Sequence, residues 1–477
     1  MKDLKVLIVS PEVTPYAKSG GLGDVVGSLP KALNNKNIDA RVVFPKYRKV
    51  VKENFNSLKY FGECNIRLGW RRQIASVYGF NDGFPGYFIE NDFYFGRNNF
   101  YGHNDDYERF AFFTKAAIEC LHVIDFQPDI IHFNDWQTGL GSIYLKDMYS
   151  KFTFYSKIKT VYTIHNLQYQ GVFGKETLGD IDLNYNYGNL DKLEFFNSIN
   201  YMKGGIQYAD AITTVSDTYS NEIQRPEFGY HLDGLLRSRK NDVYGIVNGI
   251  DVDFYNPKTS KFLWKNYDIN TLDLKKQNKK ELQKQLGLPE VDVPMISIVS
   301  RLASQKGLDI LGNALGELLK RDIQFVVLGT GEGVYENMFY EFHHAYPNKV
   351  SANILFSEDL ANKIYAGSDL FLMPSLFEPC GLGQMIAMSY GTVPIVRATG
   401  GLEDTVIHNN RDETNGTGFK FKDYDSNAIT WAVDEAIHAY YRDDFNCIIK
   451  NAMKQDFSWD KSAEKYKELY LKIANKE

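Results

Sequence analysis

Short runs of apolar, often β-branched residues alternate along the chain with longer segments of mixed polarity. The first six runs lie at residues 4–10, 40–45, 129–135, 159–166, 210–216 and 243–249. Four more follow at residues 294–300, 323–329, 369–375 and 392–397. Between runs, segments such as 108–124 repeat apolar residues at helical spacing. Strands that alternate with helices predict parallel sheets covered on both faces, and the two series predict two α/β domains.

The first strand of each series continues in a similar way. LKVLIVS leads to AKSGGLGDVV, and MISIVS leads to RLASQKGLDIL, so each strand runs through a basic loop and Gly-Leu into a helix. Between the series, the charged stretch LKKQNKKELQKQLGL predicts an exposed helix. We place the domain boundary near residues 248–251. Ligands of such sheets bind at the carboxyl ends of the strands, so two facing α/β domains predict a binding cleft.

Length and composition disfavour several classes of protein. A chain of 477 residues exceeds what one hydrophobic core serves and favours two domains of roughly 200 residues or more. The net charge is −6 without a basic stripe, which disfavours nucleic acid as a partner. No apolar run approaches the roughly 20 residues of a membrane span, and no signal peptide is evident, so we expect a cytoplasmic protein without a membrane partner. The cysteines form no close pair, which argues against a zinc site or disulfide framework.

A glycine-rich stretch, PYAKSGGLGDVVGSLPKAL, follows the first predicted strand. A dinucleotide loop needs G-x-G-x-x-G directly after the strand, but here the third glycine comes one residue late and the stretch begins too far along. This disfavours a nicotinamide oxidoreductase. Lys18 beside Gly20 and Gly21 at a predicted helix start suits a pyrophosphate. The alternative is a plain turn with a solvated lysine, since short motifs often match by chance.

Two loops of the second series carry further charged groups. SRLASQKGLD places Arg301 and Lys306 after a strand, where two cations suit a diphosphate. FEPCGLGQ places Glu378 in a turn before a helix, and the backbone N–H groups of residues 381–383 there suit a ligand. The alternatives are an ordinary surface loop for the first, and a helix cap with a packed cysteine for the second.

Polar side chains also follow two predicted strands of the first series. YTIHNLQYQG places His165 just past a strand end, and HFNDWQTGL places Asp135 at another. A single polar group of this kind is commonly a satisfied core or cap residue. Two such strand ends together with the Lys18 loop favour a shared binding site.

Together these motifs resemble the bacterial glycogen synthase and plant starch synthase family. The Lys18 stretch is similar to the family's Lys-x-Gly-Gly-Leu signature, and the resemblance continues in order through HFNDWQTGL, TIHNLQYQG, YADAITTVS, IVNGID, SRLASQKGLD and FEPCGLGQ. It implies the glycosyltransferase B fold, in which two Rossmann-like domains face each other across a cleft. The implied domains are residues 1–248 on the acceptor side and 249–455 on the nucleotide-sugar side, with a helix in 456–477 that returns to the first domain.

The resemblance implies transfer of glucose from ADP-glucose to the non-reducing end of an α-1,4-glucan such as glycogen, with retention of configuration. No metal or other cofactor is expected, because the cationic side chains take the place of a metal ion. The residues implied at the diphosphate, the sugar and the reacting centre are Arg301, Lys306, His165, Glu378 and Asp135. Those implied to bind the nucleotide sugar are Lys18, Gly20, Gly21, Asn248, Gln305, Tyr365, Cys380, Gly381 and Leu382. Among them, Tyr365 is expected to stack on the base.

Retaining glycosidases use two carboxylates about 5 Å apart. No second carboxylate presents itself beside Glu378, which favours attack of the acceptor from the face that the diphosphate leaves. Two other functions stay open. One is a related transferase that uses UDP-glucose or another acceptor, because Gly383 and Ile386 depart from the family's pattern near the donor. The other is a non-catalytic glucan-binding protein.

Overall fold

The structure, a computed structural model, describes residues 4–50, 58–410 and 415–475. The chain divides into two compact units. Unit 1 comprises Met1–Val215, Ser220–Ile246 and Trp459–Glu477, and unit 2 comprises Ser216–Tyr219 and Val247–Ser458. Each unit is built on a mainly parallel sheet with accompanying helices, which confirms the predicted α/β class.

Unit 1 contains a nine-stranded sheet and a small three-stranded one. The strands are β1 (Leu4–Val9), β2 (Ile38–Pro45), β3 (Lys59–Leu68), β4 (Arg71–Asn81), β5 (Pro85–Glu90), β6 (Ile130–Asn134), β7 (Lys159–Ile164), β8 (Val172–Gly174), β9 (Glu194–Phe195), β10 (Ser198–Asn200), β11 (Ala211–Thr214) and β12 (Val243–Gly245). The large sheet has the order β12-β11-β7-β6-β1-β2-β5-β4-β3, and β8-β10-β9 form the small antiparallel sheet. The strands of the large sheet are parallel from β12 to β5. Val6 of β1 pairs with Ala40 of β2 on one side and with Ile130 of β6 on the other.

The first helices of the chain accompany these strands. They are α1 (Gly21–Asn34), α2 (Asp92–Phe95), α3 (Asp106–Val123), α4 (Gly141–Ile143), α5 (Tyr201–Tyr208), α6 (Asp217–Glu222) and α7 (Asp233–Ser238). Helix α3 is buried along most of its length, because it packs against β2, β3, β4 and β5.

Unit 2 contains a six-stranded parallel sheet. Its strands are β13 (Met295–Val299), β14 (Gln324–Leu328), β15 (Val350–Asn353), β16 (Leu370–Met373), β17 (Val393–Arg397) and β18 (Phe419–Phe421), in the order β15-β14-β13-β16-β17-β18. This order is that of the dinucleotide-binding Rossmann sheet. The chain reverses its direction of strand addition between β13 and β16, and sheets of this type bind ligands at such a point.

The remaining helices follow in chain order. They are α8 (Asp273–Leu286), α9 (Leu308–Leu318), α10 (Gly333–Ala345), α11 (Glu358–Gly367), α12 (Gly383–Ser389), α13 (Gly400–Thr405), α14 (Ser426–Tyr440), α15 (Phe445–Met453) and α16 (Trp459–Ala474). The main core of unit 2 joins apolar residues of the sheet with those of α9, α14 and α15.

All ten predicted apolar runs contain strands, and the helix predicted at 108–124 is α3. The hairpin of β3 and β4 was missed because its residues alternate between buried and exposed positions. A strand with one face in solvent has no continuous apolar run.

The charged stretch between the two series is a helix, and the prediction that it is exposed holds for one of its faces only. In α8, the side chains of Lys275, Asn278 and Lys279 are buried. Lys275 donates hydrogen bonds to Ala366 O at 2.8 Å and to Thr392 Oγ1 at 2.8 Å. Pairing with backbone and hydroxyl oxygens inside unit 2 allows lysine side chains on one face of this helix to be buried.

The last helix, α16, belongs to unit 1 and packs against α1. Tyr466 and Tyr470 of α16 are buried, and the Tyr470 hydroxyl lies 2.7 Å from His132 Nδ1. Lys36, just beyond α1, pairs with Asp460 and Glu464 at the start of α16. In the part of the chain that the structure describes, every helix is too short or too polar to cross a membrane.

Candidate active site

In unit 2, two loops emerge beside each other at the point where the sheet reverses. The loop with Arg301 and Lys306 follows β13, and the loop with Glu378 and Cys380 follows β16, the neighbouring strand. The carboxyl ends of parallel strands lie at one edge of the sheet, so the fold brings these two predicted loops together.

Gly307 and Gln305 join the two loops. Gly307 has a φ of +69°, and a Cβ atom there would lie 1.9 Å from Pro374 O, so only glycine fits. Gln305 accepts a hydrogen bond from Leu376 N at 2.9 Å and donates one to Phe377 O at 3.1 Å. Gln305 therefore positions the second loop, and its binding to a nucleotide sugar stays a prediction.

Lys306 and Glu378 form an ion pair within unit 2. The distance from Lys306 Nζ to Glu378 Oε2 is 2.6 Å, and Ser375 Oγ donates to the same oxygen at 3.0 Å. Glu378 is buried and Lys306 is largely buried. An ammonium group has three donors, so the pair leaves hydrogens of Lys306 for a second anion.

Arg301 differs from Lys306 in its surroundings. Its side chain is exposed, and among the described residues it makes no ion pair. A guanidinium group with five donors and no internal partner at a strand end is suited to bind a phosphate group.

Cys380, Gly381 and Leu382 precede α12 at the same edge of the sheet. Burial raises the pKa of the Cys380 thiol to about 12, and hydrogen bonds from Asn248 oppose this shift only in part. Asn248 is itself buried. The thiol is therefore neutral and unreactive at physiological pH, and Asn248 contacts it through hydrogen bonds.

The prediction that Tyr365 stacks on a base is contradicted by its position. Tyr365 lies in α11 and is 5% exposed, with its ring 5.2 Å from that of Phe371 and 6.1 Å from that of Tyr390. Its hydroxyl pKa is raised strongly, above all by burial. Tyr365 lies on the buried face of α11 and is not accessible to a base.

Phe356 is an aromatic residue at the same edge that the sequence analysis did not single out. It lies between β15 and α11, and 91% of it is exposed. The strand before it has only four residues and lacks a long apolar run, so nothing marked Phe356 as a strand-end residue. A large ring held in solvent beside a Rossmann-type sheet is a surface for a planar ligand.

Unit 1 has its own reversal point, between β1 and β6. Glu12 follows β1 and is buried, and its carboxylate accepts hydrogen bonds from Ser19 N at 2.6 Å and Gly20 N at 3.3 Å. Tyr101 also donates to it, at 2.6 Å. Glu12 thus binds backbone N–H groups of the loop that was predicted to bind a pyrophosphate.

Lys18 and Gly21 lie at the start of a helix, as predicted. Helix α1 begins at Gly21, with Gly20 as its N-cap. Lys18 is exposed and pairs with Asp24 of the first turn at 2.7 Å. The ammonium group therefore stands in solvent beside a helix start, although one carboxylate already neutralises it in part.

Asp135 lies directly after β6 in a backbone conformation that is unfavourable for a residue with a side chain. Its φ is +56°, and its carboxylate accepts a hydrogen bond from His165 N at 2.8 Å. Desolvation raises its pKa to about 7, although backbone hydrogen bonds from His165 and Asn166 oppose the shift. Strain and a shifted carboxyl pKa at a strand end are typical of functional sites.

His165 follows β7, and its ring is oriented by Asn134. The Asn134 side-chain NH₂ group donates to Val9 O and His132 O, so its Oδ1 is free to accept from His165 Nε2 at 2.9 Å. Burial lowers the pKa of His165 to about 3, so the ring is neutral. With the proton on Nε2, Nδ1 is an acceptor for a hydroxyl group.

A cavity of about 490 Å³ lies in unit 1 next to Trp136. Its lining is rich in aromatic rings and hydrogen-bonding side chains and includes one carboxylate, that of Asp106: His103, Asp106, Trp136, Gln168, Tyr169, Gln170, Gly171, Val172, Phe173, Phe195, Tyr230 and His231. Such a lining suits a neutral ligand with apolar faces and many hydroxyl groups.

The sequence matches two family models. Residues 5–238 match a model described as the starch synthase catalytic domain, and residues 278–455 match one described as glycosyl transferases group 1.

Full-length relatives are similar over almost the whole chain. The glycogen synthase of Clostridium acetobutylicum is 50% identical over 476 residues, which cover 98% of this chain and 100% of that protein. The glycogen synthase of Desulforamulus reducens is 49% identical over 98% of this chain and 99% of that protein. Among solved structures, the catalytic domain of starch synthase IV from Arabidopsis thaliana, bound to ADP and acarbose, superposes with a TM-score of 0.92 at 34% identity, covering 100% of both chains.

Proposed function

Because the chain belongs to the family of bacterial glycogen synthases and starch synthases, we propose that it elongates α-1,4-glucans with glucose from ADP-glucose. Membership makes the chain a retaining glycosyltransferase with the glycosyltransferase B fold of two Rossmann-like domains. The observation that carries the proposal is the set of cations at the reversal point of unit 2, where Arg301 and Lys306 follow one strand.

Unit 2 is proposed to hold the donor. Arg301 and the remaining hydrogens of Lys306 bind the diphosphate, and Glu378 keeps Lys306 in place. The Cys380–Leu382 backbone lies at the sugar. Phe356 replaces Tyr365 as the proposed stacking surface for the base, because it is the exposed ring at this edge.

Unit 1 is proposed to hold the acceptor glucan. The aromatic faces of the cavity beside Trp136 pack against sugar rings, and its polar groups bind hydroxyls. His165 Nδ1 accepts a hydrogen bond from a sugar hydroxyl, in the tautomer that Asn134 selects. Asp135 in its ionised form stabilises the positive charge that develops at the reacting carbon.

The transfer step breaks the bond between the anomeric carbon and the diphosphate oxygen. The acceptor hydroxyl forms the new bond on the same face, and its proton goes to the departing phosphate. Arg301 and Lys306 stabilise the negative charge of the diphosphate, so the protein's contribution is mainly electrostatic. We expect turnover without an added metal ion, because two cationic side chains already neutralise the leaving group.

The deciding experiment measures nucleoside diphosphate release by the purified full-length protein with glycogen and either ADP-glucose or UDP-glucose. Fast ADP release with elongation of the glucan is the expected result. Faster release from UDP-glucose would contradict the proposed donor, and binding of glycogen without release from either donor would contradict the enzymatic function. The same assay in EDTA tests metal independence, and loss of activity that Mg²⁺ restores would contradict it.

A further inference from the structure

Three side chains on the surface of unit 1 form an exposed aromatic patch: Trp70, Arg71 and Phe93. Trp70 is 77% exposed and Phe93 is 50% exposed. The Arg71 guanidinium carbon lies 4.7 Å from the centre of the Trp70 ring and 5.5 Å from that of Phe93. One cation thus contacts both rings, and an exposed aromatic patch of this kind marks a binding surface more often than an isolated ring does.

The geometry of the β3–β4 hairpin defines the backbone position of Trp70. Trp70 lies in the two-residue turn between β3 and β4, where Leu68 pairs with Arg71. The turn needs glycine at position 69, since its φ is +53° and a Cβ atom there would lie 2.3 Å from Gly179 O. The hairpin therefore places Trp70 at an exposed position, where the Arg71 guanidinium lies over its ring.

Phe93 is fixed by a separate set of contacts. It lies in α2, whose N-cap Asn91 accepts a hydrogen bond from Tyr94 N at 3.0 Å. Asn91 also donates to Ile74 O of β4 at 2.9 Å. This hydrogen bond attaches α2 to the strand that begins at Arg71.

The aromatic patch adjoins the cavity proposed to hold the acceptor. Arg71 Nε pairs with Glu108 at 3.0 Å in the first turn of α3. Asp106, two residues earlier, lines the cavity, and Tyr107 packs on the cavity residue Phe173 with ring centres 5.9 Å apart. Only the first turn of one helix, on the order of 10 Å across, separates the cavity from the patch.

We propose that the aromatic patch is a distal subsite for the same α-glucan chain whose end occupies the cavity. The ligand must offer apolar faces to two rings and hydroxyl groups to a guanidinium, and it must be long enough to pass the start of α3. A glucan of several glucose units meets each requirement. This inference rests on the proposed function, because it takes the cavity's ligand to be a glucan.

The test compares Trp70→Ala, Phe93→Ala and the double variant with Trp431→Ala, which removes an exposed tryptophan from unit 2. KM and kcat are measured with maltotriose, maltoheptaose and glycogen as acceptors at saturating donor. Trp70→Ala is expected to raise KM for maltoheptaose and glycogen by about threefold to tenfold. KM for ADP-glucose and the rate with maltotriose are expected to stay unchanged, as they are for Trp431→Ala.

A second readout does not depend on turnover. Native gel electrophoresis through glycogen should retard the wild type and the Trp431→Ala variant more than the double variant. Equal KM values and equal retardation for all variants would overturn the distal subsite, as would an effect on glycogen alone. A change in oligomeric state without a change in retardation would also overturn it and would assign the patch to a second copy of the chain. Failure of the wild type to elongate any glucan would instead overturn the proposed function.

Discussion

Lys306 has two roles that a single substitution does not separate. It is proposed to stabilise the departing diphosphate, and it pairs with the buried carboxylate of Glu378. Removal of one partner from such a pair leaves an uncompensated charge in the interior. Arg301 is exposed and makes no such pair among the described residues. A substitution of Arg301 therefore tests the role at the leaving group without breaking an internal ion pair.

We expect Arg301→Ala to lower kcat about a hundredfold without a change in unfolding free energy. Lys306→Ala should lower kcat by a similar factor and also destabilise the protein by about 2 kcal/mol. The double variant Lys306→Ala with Glu378→Gln should regain stability but not turnover. Steady-state kinetics and denaturant unfolding measure both effects, and Lys320→Ala, which breaks an exposed ion pair with Glu317, is the control. Normal turnover in Arg301→Ala would contradict its role at the leaving group.

Phe356 allows a direct test of base stacking. We expect Phe356→Ala to weaken ADP binding about tenfold, because loss of one base–aromatic contact has an effect of this order. Phe356→Trp should retain affinity, and Leu355→Ala, at the exposed neighbouring position, should change little. Isothermal titration with ADP measures each affinity. Unaltered binding by Phe356→Ala would show that the base lies elsewhere.

At the scale of the element, α8 shows how lysine side chains on one face of a charged helix are buried in unit 2. Burial lowers the pKa of Lys275 to about 7, and the cation of Lys279 acts in the same direction, although Asp369 opposes the shift. The folded state therefore releases a proton near pH 7 that the unfolded chain, with a lysine pKa of about 10.4, still holds. Between these two values the unfolded state binds more protons, so stability rises with pH.

The expected result is that the unfolding free energy of the wild type increases from pH 7 to pH 9. Lys275→Met should remove this slope, whatever its effect on stability at one pH, and Lys276→Met, at an exposed neighbour in α8, should keep it. Denaturant unfolding of unit 2 at several pH values provides the comparison. Parallel slopes for the wild type and Lys275→Met would show that Lys275 does not cause the pH dependence of stability.

At the scale of the whole molecule, the last helix, α16, packs against elements of unit 1 that lie far earlier in the sequence. Tyr470 of α16 reaches His132 of β6, 338 residues earlier in the sequence. Burial lowers the pKa of His132 to about 3, so the ring is neutral and needs both a donor and an acceptor. The Tyr470 hydroxyl and Thr163 Oγ1 are the partners that lie within reach of its two nitrogens.

We expect Tyr470→Phe to lower the free energy of unfolding by about 1 kcal/mol, because a buried ring nitrogen loses its partner. Leu471→Ala, at the exposed position next to it, should have a much smaller effect. Denaturant unfolding followed by tryptophan fluorescence measures the difference. Equal stability of both variants would show that this hydrogen bond contributes nothing.

Residue patterns along the chain are sufficient to predict the α/β class, the ten strands that coincide with apolar runs, and the loops in which Arg301, Lys306, Asp135 and His165 stand. These follow from local patterns, since a buried parallel strand is a continuous apolar run and the loops after such strands lie at one edge of the sheet. Strands with one face in solvent, such as β3 and β4, left no such pattern.

Which of these groups have partners depends on the tertiary structure. Contacts between separate segments pair Lys306 with Glu378, place Tyr365 in the interior and bury the lysines on one face of α8. Burial and charge pairing are set by what a neighbouring element brings to the same place, and the residue types along one segment do not contain that information.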